Sequence, residues 1–246
     1  MTRNYRLIIE YDGSAFHGWQ KQKDARTVQG EIEFALFIMT GKKIVVNGSG
    51  RTDAGVHAYG QAANFRSDAG LGPEVFLKGL NSLLPNDVVI RECHDVDKTF
   101  HARYDVRRKT YCYHMLNQAV PAAVMRQYVW FIRRKLDLDA MRAAAGHLLG
   151  SHDFKSFEGT GSPRSSTVRT VFKAELRPGD AAKIVFEIEA DGFLRFMVRN
   201  IVGTLVDVGH GKLTPDDFKN ILLAKNRDLA GATAPPQGLF LVRVVY

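Results

Sequence analysis

A glycine-rich loop at residues 48–55 combines an arginine and an aspartate at a spacing that could support chemistry. It reads Gly-Ser-Gly-Arg-Thr-Asp-Ala-Gly, with Arg51 two residues before Asp53. A guanidinium at this distance can hold a carboxylate ionised and oriented. The same two residues could equally form an ordinary ion pair on a surface turn, and the loop alone does not decide between these interpretations.

Glycine-rich loops also bind phosphates, but this one lacks the features that such loops need. A Walker loop requires Gly-Lys-Ser/Thr, which is absent here. A dinucleotide-binding loop is followed by a helix, whereas residues 56–65 have the pattern of an extended strand. The sequence therefore disfavours both kinds of nucleotide site.

Two residues far along the chain occupy positions where a functional and a structural role are both open. Tyr111 lies in the alternating run Lys109–Leu116, in which Tyr113 and Met115 share its face, so it could simply be a core residue. Arg199 lies within an apolar helical pattern. A charge there must be at the rim or buried and paired, because an unpaired buried charge is very costly.

The residues that could ligate a metal are dispersed. The 8 histidines show no ligand spacing, and His57, near the glycine-rich loop, is better explained as a polar residue that begins a strand. Cys93 and Cys112 lie on separate apolar segments without a C-x-x-C spacing. We expect both to be small buried hydrophobic residues, and we expect no metal site.

The charge balance favours a polyanionic partner. There are 34 Lys and Arg against 26 Asp and Glu, a net charge of +8, and neutralisation of phosphates drives nucleic-acid binding. Three basic clusters are either solvated faces or phosphate contacts: Lys42-Lys43, Arg107-Arg108-Lys109 and Arg133-Arg134-Lys135. No stretch approaches the roughly 18 apolar residues that span a bilayer. No secretory h-region is present either, so we expect a cytoplasmic protein with no membrane contact.

The elements that must position these residues follow one order in both halves of the chain. The first half predicts strands at 5–11, 44–46, 61–65 and 88–92 and helices at 27–39 and 74–84, with Thr27 as N-cap and Gly41 as the stop. The second half predicts strands at 109–116, 168–176, 183–190 and 239–245 and helices at 138–149, 193–208 and 215–223. The order β-α-β-β-α-β is a split βαβ unit. We therefore predict two similar α/β domains, residues 1–105 and 106–246, with mainly antiparallel sheets and a cleft between them.

Five segments in order along nearly the whole chain resemble the TruA family of tRNA pseudouridine synthases. The active-site motif of that family, G-R-T-D-A-G-V-H, occurs at residues 50–57 without a mismatch. The other matching segments are Tyr11-Asp12-Gly13 with Gly18-Trp19-Gln20, Phe100–Arg103 with Lys109–Tyr113, Gly192–Gly203, and Ala232–Leu239.

This resemblance implies the pseudouridine synthase fold and the isomerisation of uridine to pseudouridine at tRNA positions 38–40, in the anticodon stem-loop. It also implies a homodimer that needs no metal or redox cofactor. Asp53 would be the catalytic carboxylate, and Arg199 its partner across the cleft. Tyr111 would pack on the target base and is a candidate to assist removal of the C5 proton. Attack on the sugar, attack on the base and formation of a glycal all remain open.

Given an RNA substrate, the cations of the chain become candidate RNA contacts. Arg51 would contact RNA or hold the site of the extruded base open, since a guanidinium stays protonated. Backbone contacts are expected from Arg133, Arg134, Lys135 and Arg164. The competing function is a non-catalytic RNA-binding protein, for which the chain lacks a good match to the RNP1 pattern.

Overall fold

The computed structural model describes residues 1–159, 161 and 166–246. Its elements in the first half of the chain are β1 (Arg3–Tyr11), α1 (Val28–Thr40), β2 (Asn47–Gly48), β3 (His57–Ser67), α2 (Pro73–Leu83) and β4 (Val88–Val96). The second half contributes β5 (Arg108–Asn117), β6 (Trp130–Ile132), α3 (Leu138–Gly146), β7 (Gly150–Asp153), β8 (Val168–Pro178), β9 (Lys183–Ala190), α4 (Met197–Gly209), α5 (Pro215–Ala224) and β10 (Leu239–Val245). Both halves combine strands with helices and most strand pairs are antiparallel, so the predicted α/β class is confirmed.

The chain divides into two compact units, Met1–Arg107 with Phe240–Tyr246, and Arg108–Leu239. This division differs from the predicted domains chiefly in the last strand, which lies with the first unit. The reason is the pairing of β10, which runs parallel to β3 at Phe240↔His57 and Leu241↔Ala58.

The first unit has the predicted order β-α-β-β-α-β, and its strands lie in the order β4-β1-β3-β10. Inward residues of β1 alternate along the strand as a half-buried strand requires. Tyr5 packs against Phe65 of β3 and Phe76 of α2, with ring centroids 5.1 and 4.9 Å apart, which ties α2 to the sheet.

Helix α1 begins and ends as predicted. The hydroxyl of Thr27 accepts a hydrogen bond from Gly30 N, and Gly41 closes the helix in the left-handed conformation at φ 69°. The predicted strand at 44–46 is wrong, since the strand before β3 is only Asn47–Gly48. The backbone of Val46 bonds instead to side chains of α1, with its carbonyl accepting from Gln29 and its N–H donating to Glu33.

The second unit orders its strands β5-β9-β8-β7, all antiparallel, with β6 parallel to β5 at the edge. The short strands β6 and β7 were not predicted. The helix predicted at 193–208 begins only at Met197, because Phe196 adopts a left-handed conformation at φ 60° and the carbonyl of Arg195 accepts from Gly159 N. The helix predicted to reach residue 149 ends at Gly146.

The two cysteines are buried free thiols, as predicted. Burial raises the pKa of each thiol to about 11, so both are protonated at neutral pH. In the described part of the chain, no helix is long and apolar enough to cross a bilayer.

Gly203 in the middle of α4 marks a backbone contact with no room for a side chain. A Cβ built there would lie 1.7 Å from the carbonyl oxygen of Ala232. We expect Gly203→Ala to lower the free energy of unfolding by about 1–3 kcal/mol or more, because the obstacle is backbone and cannot rotate away. Urea unfolding would measure the loss.

The matched control for this prediction is Gly146→Ala, also in a helix. A Cβ at Gly146 meets no atom within 4 Å, so this change should be neutral or stabilising by up to about 1 kcal/mol. Equal stability of the two variants would contradict the packing argument.

Candidate active site

The backbone on both sides of Asp53 is fixed by hydrogen bonds from the first unit. The carbonyl of Thr52 accepts from Trp19 N at 3.1 Å, and the carbonyl of Asp53 accepts from Val56 N at 3.2 Å. The hydroxyls of Thr52 and Tyr11 lie 2.8 Å apart in a buried hydrogen bond. Thr52 is only 7% exposed, whereas Asp53 is half-buried. The loop therefore presents Asp53 at the surface on a held backbone.

Segment 13–19 lies against this loop at distances that exclude side chains. A Cβ at Gly13 would lie 2.1 Å from the carbonyl oxygen of Val56, and one at Gly18 would lie 2.6 Å from that of Thr52. A Cβ at Gly48 would lie 2.5 Å from the ring of Trp19, which is itself buried. The loop and segment 13–19 thus form one packed unit.

The start of the loop is held by a buried pair of polar side chains. The hydroxyl of Ser49 donates to Gln61 Oε1 at 2.7 Å, and Gln61 Nε2 donates to the carbonyl of Gly50 at 3.0 Å. Ser49 N also donates to the carbonyl of Ala62 in β3. These bonds fix the loop to the strand that follows it.

Arg51 is exposed, and its Nε donates to Gln20 Oε1 at 2.9 Å. The Gln20 amide in turn donates to Gln29 of α1 at 2.7 Å. The guanidinium is therefore tethered to a neutral amide, which leaves its charge available to an anion. Gln20 was not predicted as a site residue, although the segment Gly18-Trp19-Gln20 was the signal that could have indicated it.

His57 begins β3, as the sequence predicts. Its Nδ1 accepts from Gly13 N at 3.0 Å and its ring stacks on Phe240 at 4.7 Å. The carboxylate of Asp12 lies 3.1 Å from the same nitrogen. These contacts join the start of β3 to segment 13–19 and to β10.

Tyr111 lies on β5 of the second unit, opposite Ile188 of β9. Its ring meets the edge of Phe193 at 5.0 Å, and 8% of the residue is exposed. Tyr113 is fully buried, and its hydroxyl donates to the carbonyl of Pro235 at 2.7 Å. Burial raises the pKa of Tyr113 well above its usual range. The two tyrosines of one strand face therefore differ in environment.

Arg199 lies in the first turn of α4 and is half-buried. Its Nε donates to the carbonyl of Ala234 at 2.7 Å, while Ala234 N donates back to the Arg199 carbonyl at 3.1 Å. The guanidinium carbon lies 5.0 Å from the ring centroid of Phe196. One edge of the Arg199 guanidinium is therefore occupied by the Ala234 carbonyl.

The neighbouring Asn200 holds the segment that orients Arg199. Its amide donates to the carbonyl of Phe157, and its oxygen accepts from Thr233 at 2.7 Å and from Arg227 at 3.1 Å. Sequence reasoning did not identify Asn200 or Thr233. Both lie in the two C-terminal segments that carry the family resemblance, and the structure joins those segments into one hydrogen-bonded cluster.

The remaining predicted RNA-binding residues are the basic cluster at 133–135 and Arg164. The cluster Arg133-Arg134-Lys135 is exposed between β6 and α3, with the Arg134 carbonyl accepting from Asn117. Arg164 lies outside the described residues. Within the described ranges, no group of three or more His, Cys, Asp or Glu residues could hold a metal ion.

Comparisons with known proteins indicate one family over most of the chain. The family model described as tRNA pseudouridine synthase matches residues 7–105 and 144–246. A relative named tRNA pseudouridine synthase A from Acetivibrio thermocellus is 48% identical over 245 residues, which cover 99% of this chain and 100% of the relative. Proteins of the same name from Thermoanaerobacter sp. (strain X514) and Geobacter sp. (strain M21) are 45% and 43% identical, each with 99% of this chain covered and with 100% and 99% of the relative. With most of its length matched by the family model and nearly all of it by these relatives, the chain belongs to the tRNA pseudouridine synthase family.

Proposed function

We propose that this protein converts uridine to pseudouridine in tRNA, with Asp53 as the catalytic carboxylate. The observation that carries the proposal is the loop at residues 50–57, which holds Asp53 half-exposed on a backbone fixed by Trp19, Tyr11 and Gln61. Family membership and relatives matched along almost their full lengths support the same activity.

The reaction exchanges one bond of the nucleotide for another. The bond between C1′ and N1 breaks, the uracil turns, and a new bond joins C1′ to C5, which then loses its proton while N1 gains one. Atoms and electrons balance without an external oxidant or reductant. The protein must therefore supply an ionised carboxylate, hold the detached base, and move one proton from C5.

A fixed loop suits the first of these tasks. A group held in place before the substrate arrives spends no energy on reorganisation when charge develops at the reacting centre. We propose that Asp53 acts through its carboxylate on the sugar, on the base, or as the base that starts a glycal route. Each route needs an ionised carboxylate held beside the nucleotide.

Tyr111 and Arg199 are proposed to complete the machinery. The ring of Tyr111, with a small exposed fraction, would pack on the target base, and its hydroxyl would assist removal of the C5 proton. Arg199 would pair with the Asp53 carboxylate, with its orientation set by the bond to the Ala234 carbonyl. Arg51 would contact RNA or hold the site of the extruded base open.

The finer identity of the substrate is also a proposal. We infer that the targets are uridines at positions 38–40 of the anticodon stem-loop, that a homodimer binds the tRNA, and that the protein works in the cytoplasm without a metal or redox cofactor. A uridine within a stem must be extruded first, at a cost of a few kcal/mol. A non-catalytic RNA-binding role is not favoured, because it would leave the fixed Asp53 loop without a purpose.

Asp53→Asn should lower the rate of pseudouridine formation by at least about a thousandfold, because it keeps the shape and removes the charge. Binding of tRNA should change little, since phosphate contacts dominate affinity. The rate is measured as tritium released from uracil C5 of labelled tRNA. Asp24→Asn, at an exposed turn of the same unit, is the control and should behave as wild type. Near-normal activity of the Asp53 variant would end the proposal.

Tyr111→Phe separates the two roles of this residue. If its hydroxyl assists deprotonation, single-turnover tritium release should slow by about a hundred- to ten-thousandfold, with thermal stability unchanged. Tyr113→Phe is the matched control for the loss of a hydroxyl with a structural role. It leaves the buried Pro235 carbonyl without its donor and should cost about 1–3 kcal/mol of stability. Normal tritium release from the Tyr111 variant would assign its ring to packing alone.

The affinity for tRNA should fall steeply with salt, because several phosphates are neutralised by a chain of net charge +8. If all three cations of the cluster at 133–135 touch RNA, their joint replacement by Ala should reduce the log–log slope by about 2–3. Filter binding across a salt series measures the slope. An unchanged slope in a variant of normal melting temperature would identify the cluster as a solvated face.

A further inference from the structure

The segment after β4 presents an exposed aromatic ring among cations. Tyr104 is 73% exposed, the ring of His101 lies 4.3 Å from it at 37°, and the guanidinium of Arg103 lies 5.7 Å from its centroid. Arg103 and Lys98 are both exposed. We call Lys98, His101, Arg103 and Tyr104 the Tyr104 surface.

This surface is built on a rigid base. Two buried asparagines of the sheet form hydrogen bonds to the segment. Asn4 Nδ2 donates to the carbonyls of Asp97 and Phe100, both at 2.9 Å. Asn64 Oδ1 accepts from Ala102 N at 2.9 Å. The two amides are also bonded to each other at 3.0 Å. Buried amides used in this way fix the path of a surface segment.

Contacts with Tyr246, which follows β10, and hydrogen bonds within the segment complete this rigid support. The hydroxyl of Tyr246 donates to the carbonyl of Ala102 at 2.8 Å, and its ring meets the edge of Phe100 at 4.8 Å. His101 N donates to the Asp105 carboxylate at 2.8 Å, and Tyr104 N to the His101 carbonyl at 3.1 Å. A segment held so closely loses little backbone entropy when its side chains bind a partner.

The acidic residues of the segment accept hydrogen bonds from the segment itself. Asp97 accepts from the N–H and the hydroxyl of Thr99, and Asp105 accepts from His101 N. The exposed cations Lys98 and Arg103 belong to the same segment but to two successive turns, at 98–99 and 102–104. An exposed ring with an exposed guanidinium beside it matches a ligand that carries both π faces and negative charge, as RNA does.

The Tyr104 surface is far from Asp53 within the first unit. Asn64, which holds Ala102, lies seven residues along β3 from His57, about 23 Å at the rise of a strand. On the neighbouring strand β1, Asn4 lies near one end and Tyr11 lies at the other. The hydroxyl of Tyr11 is bonded to that of Thr52, next to Asp53. A nucleotide at Asp53 therefore cannot also reach Tyr104.

We propose that the Tyr104 surface is a second RNA contact, which stacks an accessible base on Tyr104 and neutralises a phosphate through Arg103. It binds a part of the tRNA other than the target uridine. This inference rests on the proposed function only in taking tRNA as the substrate. The contact contributes to the affinity for tRNA and takes no part in the bond exchange.

The test compares tRNA dissociation constants for the full chain and its variants. Tyr104→Ala should raise the constant about five- to a hundredfold, the usual cost of losing one stacked base. Tyr104→Phe keeps the ring and should stay within about twofold of wild type. Arg103→Gln should reduce the log–log salt slope by about 0.7–0.9, the value for one phosphate. Single-turnover tritium release at saturating tRNA should remain normal in all three.

The control is Phe34→Ala, which removes another exposed aromatic ring of the same unit, on α1, and should leave affinity unchanged. Unchanged affinity in Tyr104→Ala, or an equal loss in Phe34→Ala, would overturn the inference. A change of oligomeric mass by light scattering without loss of affinity for tRNA would also overturn it, by showing a protein-binding surface. Because binding is read without chemistry, an inactive wild type would refute the proposed function without affecting this result.

Discussion

The contact between segment 13–19 and the loop that carries Asp53 is the constraint on which the first unit's site depends. Three glycines permit it, because a Cβ at Gly13, Gly18 or Gly48 would overlap atoms across the contact. With the backbones this close, the N–H of Trp19 reaches the carbonyl of Thr52, and Gly13 N reaches His57. The position of Asp53 is therefore set by main-chain atoms, which do not change rotamer when a substrate arrives.

The second unit uses an equivalent principle with different parts. Gly203 lets the backbone at Ala232 approach α4, and the neighbouring carbonyls of Ala234 and Pro235 then receive Arg199 and Tyr113. Asn200 closes this cluster by bonding Thr233, Arg227 and Phe157. In this unit, too, a glycine allows a close backbone approach, and the backbone carbonyls beside it hold the side chains of Arg199 and Tyr113.

The sequence predicts elements well where local signals agree with tertiary packing. Helix α1 has both its Thr27 cap and its Gly41 stop, and β10 was predicted with its observed bounds. Prediction failed at Val46, which was expected in a short strand but whose backbone partners are side chains of α1. It also failed at Phe196, which has a left-handed backbone next to the bond from Gly159 N to the Arg195 carbonyl. The assigned roles of Asp53, Tyr111 and Arg199 came from family resemblance, and the anchors Gln20 and Asn200 could not be found from spacing because their partners are distant in sequence.

The pairing of β10 has a consequence for how the protein is made. Residues 240–246 complete the first unit by pairing with β3 and by the bonds from Tyr246 to Ala102 and from Arg107 to Val245. These residues follow the whole second unit in the chain, so a ribosome must synthesise that unit before the first can close its sheet. Contacts of such wide sequence separation slow folding. Until β10 is made, the nascent first half keeps an edge of β3 that β10 has not yet paired, and unpaired strand edges are prone to aggregation.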